Sequence, residues 1–439
     1  MSSNSESLNR FSGVNTRLAV HYSALASAFF GIGIVIILIE ALFFDYFQNL
    51  ANAAFSTRAI IGFHLFPSEI WFIFFGNALV FLAIANNDFL IPGHLAPNAR
   101  PAFLILTVYT LWFVYGALAG NSWALQEFRE MVFTAFSLPA ILYFAPFVSA
   151  NQVMRRFCIP TVLALLVFSI GYATNTALII GTFFVAYFCL RLLYRNGWAV
   201  FGLGIAALPF VIKFSKPMIV LLAFCLAASF LLAGYLNPKS VNLIFSRFKL
   251  RILFVAFALV MLLVAVIVAI NALTGGAVED IIRWYFLKQR VSASGAIVYA
   301  DISGGRLAIW RVALESWSQR PLFGYGLGAE LEAYSKGWVV KTQFHSYLVQ
   351  ALHNTGLVGL FLICSGWLVW TLRSLRRVYR VGDMDEKIIL GSMLVYVFGI
   401  AFYGMFGHSL SYPPSTQFFW LCIGFLSVRR RPRSLRVHA

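Results

Sequence analysis

The sequence predicts an all-α, polytopic membrane protein of about twelve transmembrane helices, with one long loop on the outer side. Three observations lead there. Hydrophobic residues make up 61% of the 439 and charged residues only 11%, against about 25% charged in an average soluble domain. Mean hydropathy is +0.82. Apolar runs of helical length recur along the chain, whereas the strands of a membrane barrel would alternate and run only about 10 residues.

Each span requires roughly 20 apolar residues. Windows that meet this, or come close, lie near 25–44, 68–85, 101–120, 127–148, 157–173, 174–190, 198–212, 217–236, 252–273, 346–371, 388–408 and 416–428. The first follows a polar N-terminus and carries no small-residue cleavage site, so it reads as a retained span and not a signal peptide. The windows 198–212 and 416–428 are short, and tilt or recruit neighbouring polar residues. No internal repeat or low-complexity tract appears, and residues 1–439 read as a single integral membrane domain.

Charge sets the orientation. With the N-terminus in the cytoplasm, the cytoplasmic segments hold 21 of the 33 Lys and Arg residues, and the short outer loops hold four: Arg58, Arg129, Lys213 and Lys216. The other eight lie in the loop 274–344, and long loops are largely exempt from the positive-inside rule. Both termini are then cytoplasmic, and loop 274–344 is periplasmic. The formal net charge of +17 follows from these clusters and implies no nucleic-acid partner. The basic tail 429–439, containing "RRRPRSLR", suits anionic membrane lipids. Cys158, Cys189, Cys225, Cys364 and Cys422 all fall in apolar runs and read as small hydrophobes.

The long loop carries patterns of its own. Residues 278–291, "VEDIIRWYFLKQRV", mix Trp284, Tyr285 and Phe286 with charges, as in a helix lying in the interface. In "SGGRLAIWRVALESWSQRPLFGYGLG", Leu307, Trp310, Leu314 and Trp317 mark one face of an amphipathic helix. Ser303 is its expected N-cap, and Pro321 with Gly324 ends it in a turn.

Four basic groups on the predicted outer side are the candidates for chemistry. Lys213 and Lys216 sit in the tight link "VIKFSKPM". Arg306 begins the loop helix, and His345 opens the tenth span. A helix N-terminus favours anions and disfavours a protonated imidazole, which keeps His345 neutral and able to accept a proton. A neutral base beside fixed cations suits activation of a hydroxyl against a phosphate-bearing leaving group. The residues alone leave plainer alternatives open: an interfacial histidine, lysines that snorkel to headgroups, and a solvated arginine. His353 reads as a packed helix residue, and His408 has no evident partner. "GYGLG" lacks the strand–helix setting of a nucleotide loop, and "DMD" at 383–385 reads as a solvated turn. No carboxylate cluster has magnesium or zinc spacing, so neither a metal nor a cofactor is expected.

The pair "GGRLAIWRVALESWSQRPLFGYGLG" and "FHSYLVQALHNTGLVGL" resembles the core of the O-antigen ligase and polymerase superfamily, bacterial inner-membrane glycosyltransferases of the GT-C type. The resemblance covers mainly residues 213–360. It implies transfer of a glycan from undecaprenyl pyrophosphate to an acceptor hydroxyl at the periplasmic face, with a growing glycan, lipid A–core or protein hydroxyls as the acceptors left open. Arg306 matches the loop arginine that grips pyrophosphate. His345 matches the histidine that serves as base or pyrophosphate partner, and Lys216 falls at a position usually arginine in the ligases. Lys213 and Arg290 are further candidates for pyrophosphate or glycan contacts. Lysine at 216 loses the bidentate fork of arginine and leans toward an exopolysaccharide polymerase. Ser346 stands where asparagine is common. The competing class is a transporter or flippase, which binds substrate near mid-membrane on broken helices, often with ionisable residues in its spans. Those here are nearly free of central charge, and Glu40 lies near the outer end of its span.

Overall fold

The computed structural model describes residues 4–43, 66–85, 99–160, 175–194, 198–213, 216–236, 289–291, 297–299, 306–331, 333–335, 338–340, 344–405 and 413–428. The fold is all-α and polytopic. In lipid the backbone must satisfy its own hydrogen bonds, and apolar runs of this length do so as helices.

The helices, in order, are α1 (Asn4–Leu42), α2 (Pro67–Ala85, π-helical over Ile70–Phe75), α3 (Ala99–Leu118) and α4 (Ala124–Met131). A bent pair follows, α5 (Phe133–Phe147) and α6 (Ala150–Arg156), meeting at 100°. Then come α7 (Asn175–Tyr194), α8 (Ala199–Lys213) and α9 (Lys216–Leu236). The loop supplies α10 (Arg306–Trp317), and the chain ends with α11 (Tyr347–Arg380), α12 (Met384–Gly404) and α13 (Pro413–Ser427).

Among the described residues seven helices are long and apolar enough to cross a membrane, or eight if α5 and α6 form one span. Of the twelve predicted windows, 252–273 and most of 157–173 lie outside the described residues. The window 127–148 divides. Its first part belongs to α4, where Glu127 and Arg129 take buried partners, and only from Phe133 does the chain turn into the apolar layer.

The central packing brings α7 against α8, α9 and α12, lays α3 along α11, and seats α13 on α1 and α5. Aromatic edges fill it. Phe418 meets Phe183 at 5.4 Å and Tyr396 at 5.0 Å between ring centroids, both edge to face, a favoured aromatic geometry. Glu40, two residues before the end of α1, accepts from the Ser68 amide at 2.7 Å. Glu69 accepts from Arg129 at 3.0 Å, so α1, α2 and α4 are tied at one end of the bundle by buried polar groups.

Two small antiparallel ladders lie in the loop: β1 (Gln289–Val291) pairs with β2 (Ile297–Tyr299), and β3 (Ala333–Ser335) with β4 (Trp338–Val340). The helix predicted over 278–291 therefore does not reach its last three residues, and the rest of it lies outside the described residues, as do Ser303 and His408. The stripe predicted for α10 is displaced. Leu314 is exposed, while Ile309 and Ala313 are buried against Leu331 and Phe344. "DMD" caps a helix: Asp383 accepts from the Asp385 amide at 3.1 Å at the start of α12. Of the cysteines described, Cys189, Cys225 and Cys422 are buried and Cys364 is exposed.

Candidate active site

The site is built around a break in α11. At Gly356 the backbone leaves the helical region, with φ 64° and ψ −169°. Residues 357–380 alone are about 36 Å long at 1.5 Å per residue, enough for a hydrocarbon core of about 30 Å. The segment Tyr347–Thr355 is thus free to serve the site.

A break frees backbone groups that must find partners. Here the turn after α10 supplies them. The amides of Leu357 and Val358 donate to the carbonyls of Pro321 and Leu322 at 2.9 and 3.1 Å. In return the amides of Tyr325 and Gly326 donate to the carbonyls of His353 and Asn354 at 3.1 and 2.9 Å. "RPLFGYGLG" and "HNTGLVGL" are therefore two halves of one interlock. The end of α3 braces it: Trp112 Nε1 donates to the Phe323 carbonyl at 2.8 Å, and Asn121 Nδ2 to the carbonyls of Tyr325 and Leu327, both at 3.0 Å. The glycine of this turn that touches α4 cannot be replaced without strain. Gly328 has φ +73°, and a Cβ there would lie 2.0 Å from the Ala124 nitrogen.

One buried carboxylate unites these parts. Glu127 Oε1 accepts from Gln350 Nε2 at 2.6 Å and from Asn354 Nδ2, while Oε2 accepts from the Gly328 amide. Beside it, His353 stacks on Tyr325 at 4.8 Å between centroids and meets the Phe344 ring edge to face at 5.0 Å. Its Nε2 lies 3.2 Å from Ser316 Oγ on α10. The packed role predicted for His353 is the one observed.

On this frame Arg306 and His345 come together. Arg306 opens α10, and Trp310, one turn on, donates from Nε1 to the Phe344 carbonyl at 2.7 Å, fixing the backbone just before His345. Ser346 caps α11 by accepting from the Val349 amide, a task serine and asparagine share. His345 itself has φ 54°, a left-handed conformation uncommon for a non-glycine residue. It is half-buried, and its imidazole is held below the ordinary histidine range, first by burial and then by the nearby Arg306 cation.

Lys213 closes α8 and Lys216 opens α9. Tyr235, near the end of α9, lies 5.7 Å from Tyr379 near the end of α11. Those ends are level, so the backbone at Lys216 stands at the His345 end of the bundle. Arg290 is on β1 opposite Val298. The side chains of Lys213, Lys216 and Arg290 lie outside the described residues, and the juxtaposition observed is that of Arg306 with His345. Among the described residues no group of three His, Cys, Asp or Glu side chains is assembled for a metal ion.

Glu127, Gln350, Asn354 and Trp310 did not emerge as site residues from the sequence. The one local signal was Gly356 inside an otherwise helical pattern, which marks a packing or functional demand.

Taken together, these features define a multi-pass membrane protein in which α10 and the turn after it lock into a broken helix and set a cation beside an imidazole. Residues 215–364 match the model of a family described as O-antigen ligase, and this supports the membership of the chain in the O-antigen ligase and polymerase superfamily. The family indicates glycosyltransferase activity of that type, with a lipid-linked glycan and an acceptor as partners. No curated protein matches the chain.

Proposed function

We propose that this protein moves a glycan from undecaprenyl pyrophosphate to an acceptor hydroxyl at the periplasmic face of a bacterial inner membrane. The observation that carries this reading is the pairing of Arg306 with His345 inside the family-matched segment. The transfer is inverting and requires no metal or cofactor. Arg306 and Lys216 neutralise the pyrophosphate as its bond to the sugar breaks. His345 takes the proton of the incoming hydroxyl or orients the phosphate. Cations that meet charge only as it develops lower the barrier and do more than tighten binding. Lys213 and Arg290 contact pyrophosphate or glycan.

The whole chain, 1–439, acts as one membrane domain. Loop 274–344 covers the sugar chain from the periplasm, both termini are cytoplasmic, and tail 429–439 rests on anionic lipid; the distribution of Lys and Arg supports this placement. Polymerisation of an exopolysaccharide or O-antigen is favoured over ligation to lipid A–core by the lysine at 216.

The test is transfer from a polyprenyl-pyrophosphate glycan by purified protein in detergent. Arg306→Ala and His345→Ala, each correctly inserted, should lose at least 99% of turnover, on the order of the 10²–10⁴-fold typical of acid–base groups. Near-normal turnover in both overturns the assignment. Strong inhibition by a chelator overturns metal independence. Analysis of surface glycans in a deletion strain separates the acceptors: loss of polymer supports polymerisation, and loss of lipid A–core capping alone supports ligation.

A further inference from the structure

At the end of the bundle away from His345, a cavity of about 650 Å³ opens between α1 and the α5–α6 bend, within the range of about 300–1,000 Å³ usual for ligand sites. Its polar lining is Ser23, Ser27, Asn151, Gln152, Arg155 and Arg156, and Ala24 with Val148 forms an apolar wall. Its place follows from Arg155, which pairs with Asp385 at 3.0 Å. Asp385 is in the first turn of α12, just beyond the far end of α11.

Three features constrain the occupant. The first is charge. Two guanidiniums line the cavity and one neighbouring carboxylate offsets Arg155, which leaves one positive charge, at the exposed Arg156. One negative charge matches a phosphodiester. The second is an orphan acceptor. Asn151 Oδ1 is buried with no hydrogen-bond partner, a costly state that a donor relieves. The third is depth. Ser23 is the first residue of the apolar span Ser23–Leu42, so the cavity sits where hydrocarbon gives way to headgroups, and its apolar wall suits an amphiphile.

We propose that this cavity binds the headgroup of an anionic, hydroxyl-bearing phospholipid, of the phosphatidylglycerol kind, from the leaflet opposite His345. The phosphodiester lies against Arg156, and a headgroup hydroxyl donates to Asn151 Oδ1. The lipid fills the angle of the bend and holds α6 to α1. This site is independent of the catalytic reading.

Native mass spectrometry of the purified full chain, titrated with phosphatidylglycerol, phosphatidylmethanol and phosphatidylcholine of equal acyl length, tests it. The wild type should retain phosphatidylglycerol about tenfold more tightly than phosphatidylcholine, as one charge-assisted hydrogen bond requires. Arg156→Gln should abolish that preference, and Arg380→Gln, at the same end of the bundle but outside the cavity, should leave it intact. Asn151→Leu should erase the discrimination between phosphatidylglycerol and phosphatidylmethanol, which has the charge without the hydroxyl. Size-exclusion profiles confirm that each variant is folded. Equal retention of phosphatidylglycerol and phosphatidylcholine by the wild type overturns the site. Equal weakening by Arg380→Gln reduces it to the general charge of that face. Binding of glycerophosphoglycerol as tight as that of phosphatidylglycerol means that the acyl chains add nothing, and overturns the lipid.

Discussion

Gln350 Nε2 donates to Glu127 Oε1 at 2.6 Å, joining α4 to the segment of α11 before its break. The same carboxylate also holds Asn354 and the Gly328 amide, so a single buried group sets the relation of helix, loop and turn around His345. Buried networks of this kind depend on every member being satisfied.

Glu127→Ala should therefore lower stability by about 3 kcal/mol, since it strands three buried donors at roughly 1–3 kcal/mol each before relaxation. Thermal unfolding in detergent measures it. A loss below about 1 kcal/mol would mean the three bonds do not act together.

The imidazole of His345 responds to two causes, and they can be separated. A group held below its ordinary pKa of about 6.5 stays neutral down to that value and gains its proton only at lower pH. Activity that needs the neutral ring should be fully present above pH 6.5 and fall as acid titrates the lowered group. Arg306→Gln removes the smaller cause, the cation, and leaves burial. Histidine NMR should show the titration of His345 moving upward yet remaining below the ordinary value. A downward or absent shift would separate the two residues.

Backbone strain at His345 predicts an unusual order of variants. Left-handed backbone costs an L-residue roughly 1–2 kcal/mol and glycine almost nothing, offset by about 0.4–1 kcal/mol from the looser unfolded glycine chain. His345→Gly should thus be as stable as His345→Ala or up to about 1.6 kcal/mol more so, although both lack the imidazole and are inactive. Parallel melts decide this, and a clearly less stable glycine variant refutes it.

Gly328→Ala places a methyl group against the Ala124 backbone at a positive φ. A destabilisation of at least about 2 kcal/mol is expected, with cleavage by limited proteolysis appearing within 321–331. Wild-type resistance would show that the turn does not depend on this close approach.

Much of this protein was legible in its residues. Hydropathy marked the spans because a bilayer requires about 20 apolar residues whatever they pack against. Arg306 and His345 stood out because their motifs fall on the predicted outer side and resemble the core of a known family. Other features depended on neighbours far away in sequence. Glu127 reads as an ordinary outer carboxylate until Gln350, Asn354 and Gly328 converge on it. The buried stripe of α10 was misjudged because Trp310 spends its indole on the Phe344 carbonyl, while Ile309 and Ala313 meet the small core. "GYGLG" appeared as a bare glycine run because the helix break that it fills lies more than twenty residues on.

The sequence by itself determined the class of the molecule, all-α and polytopic, and many of its apolar helices, since these follow from local composition and transfer free energy. Only the tertiary structure decided that Arg306 and His345 are neighbours, that α11 breaks at Gly356, and that a remote loop repairs the break. Those outcomes rest on hydrogen bonds between distant segments, and no local pattern specifies which freed amide will meet which carbonyl.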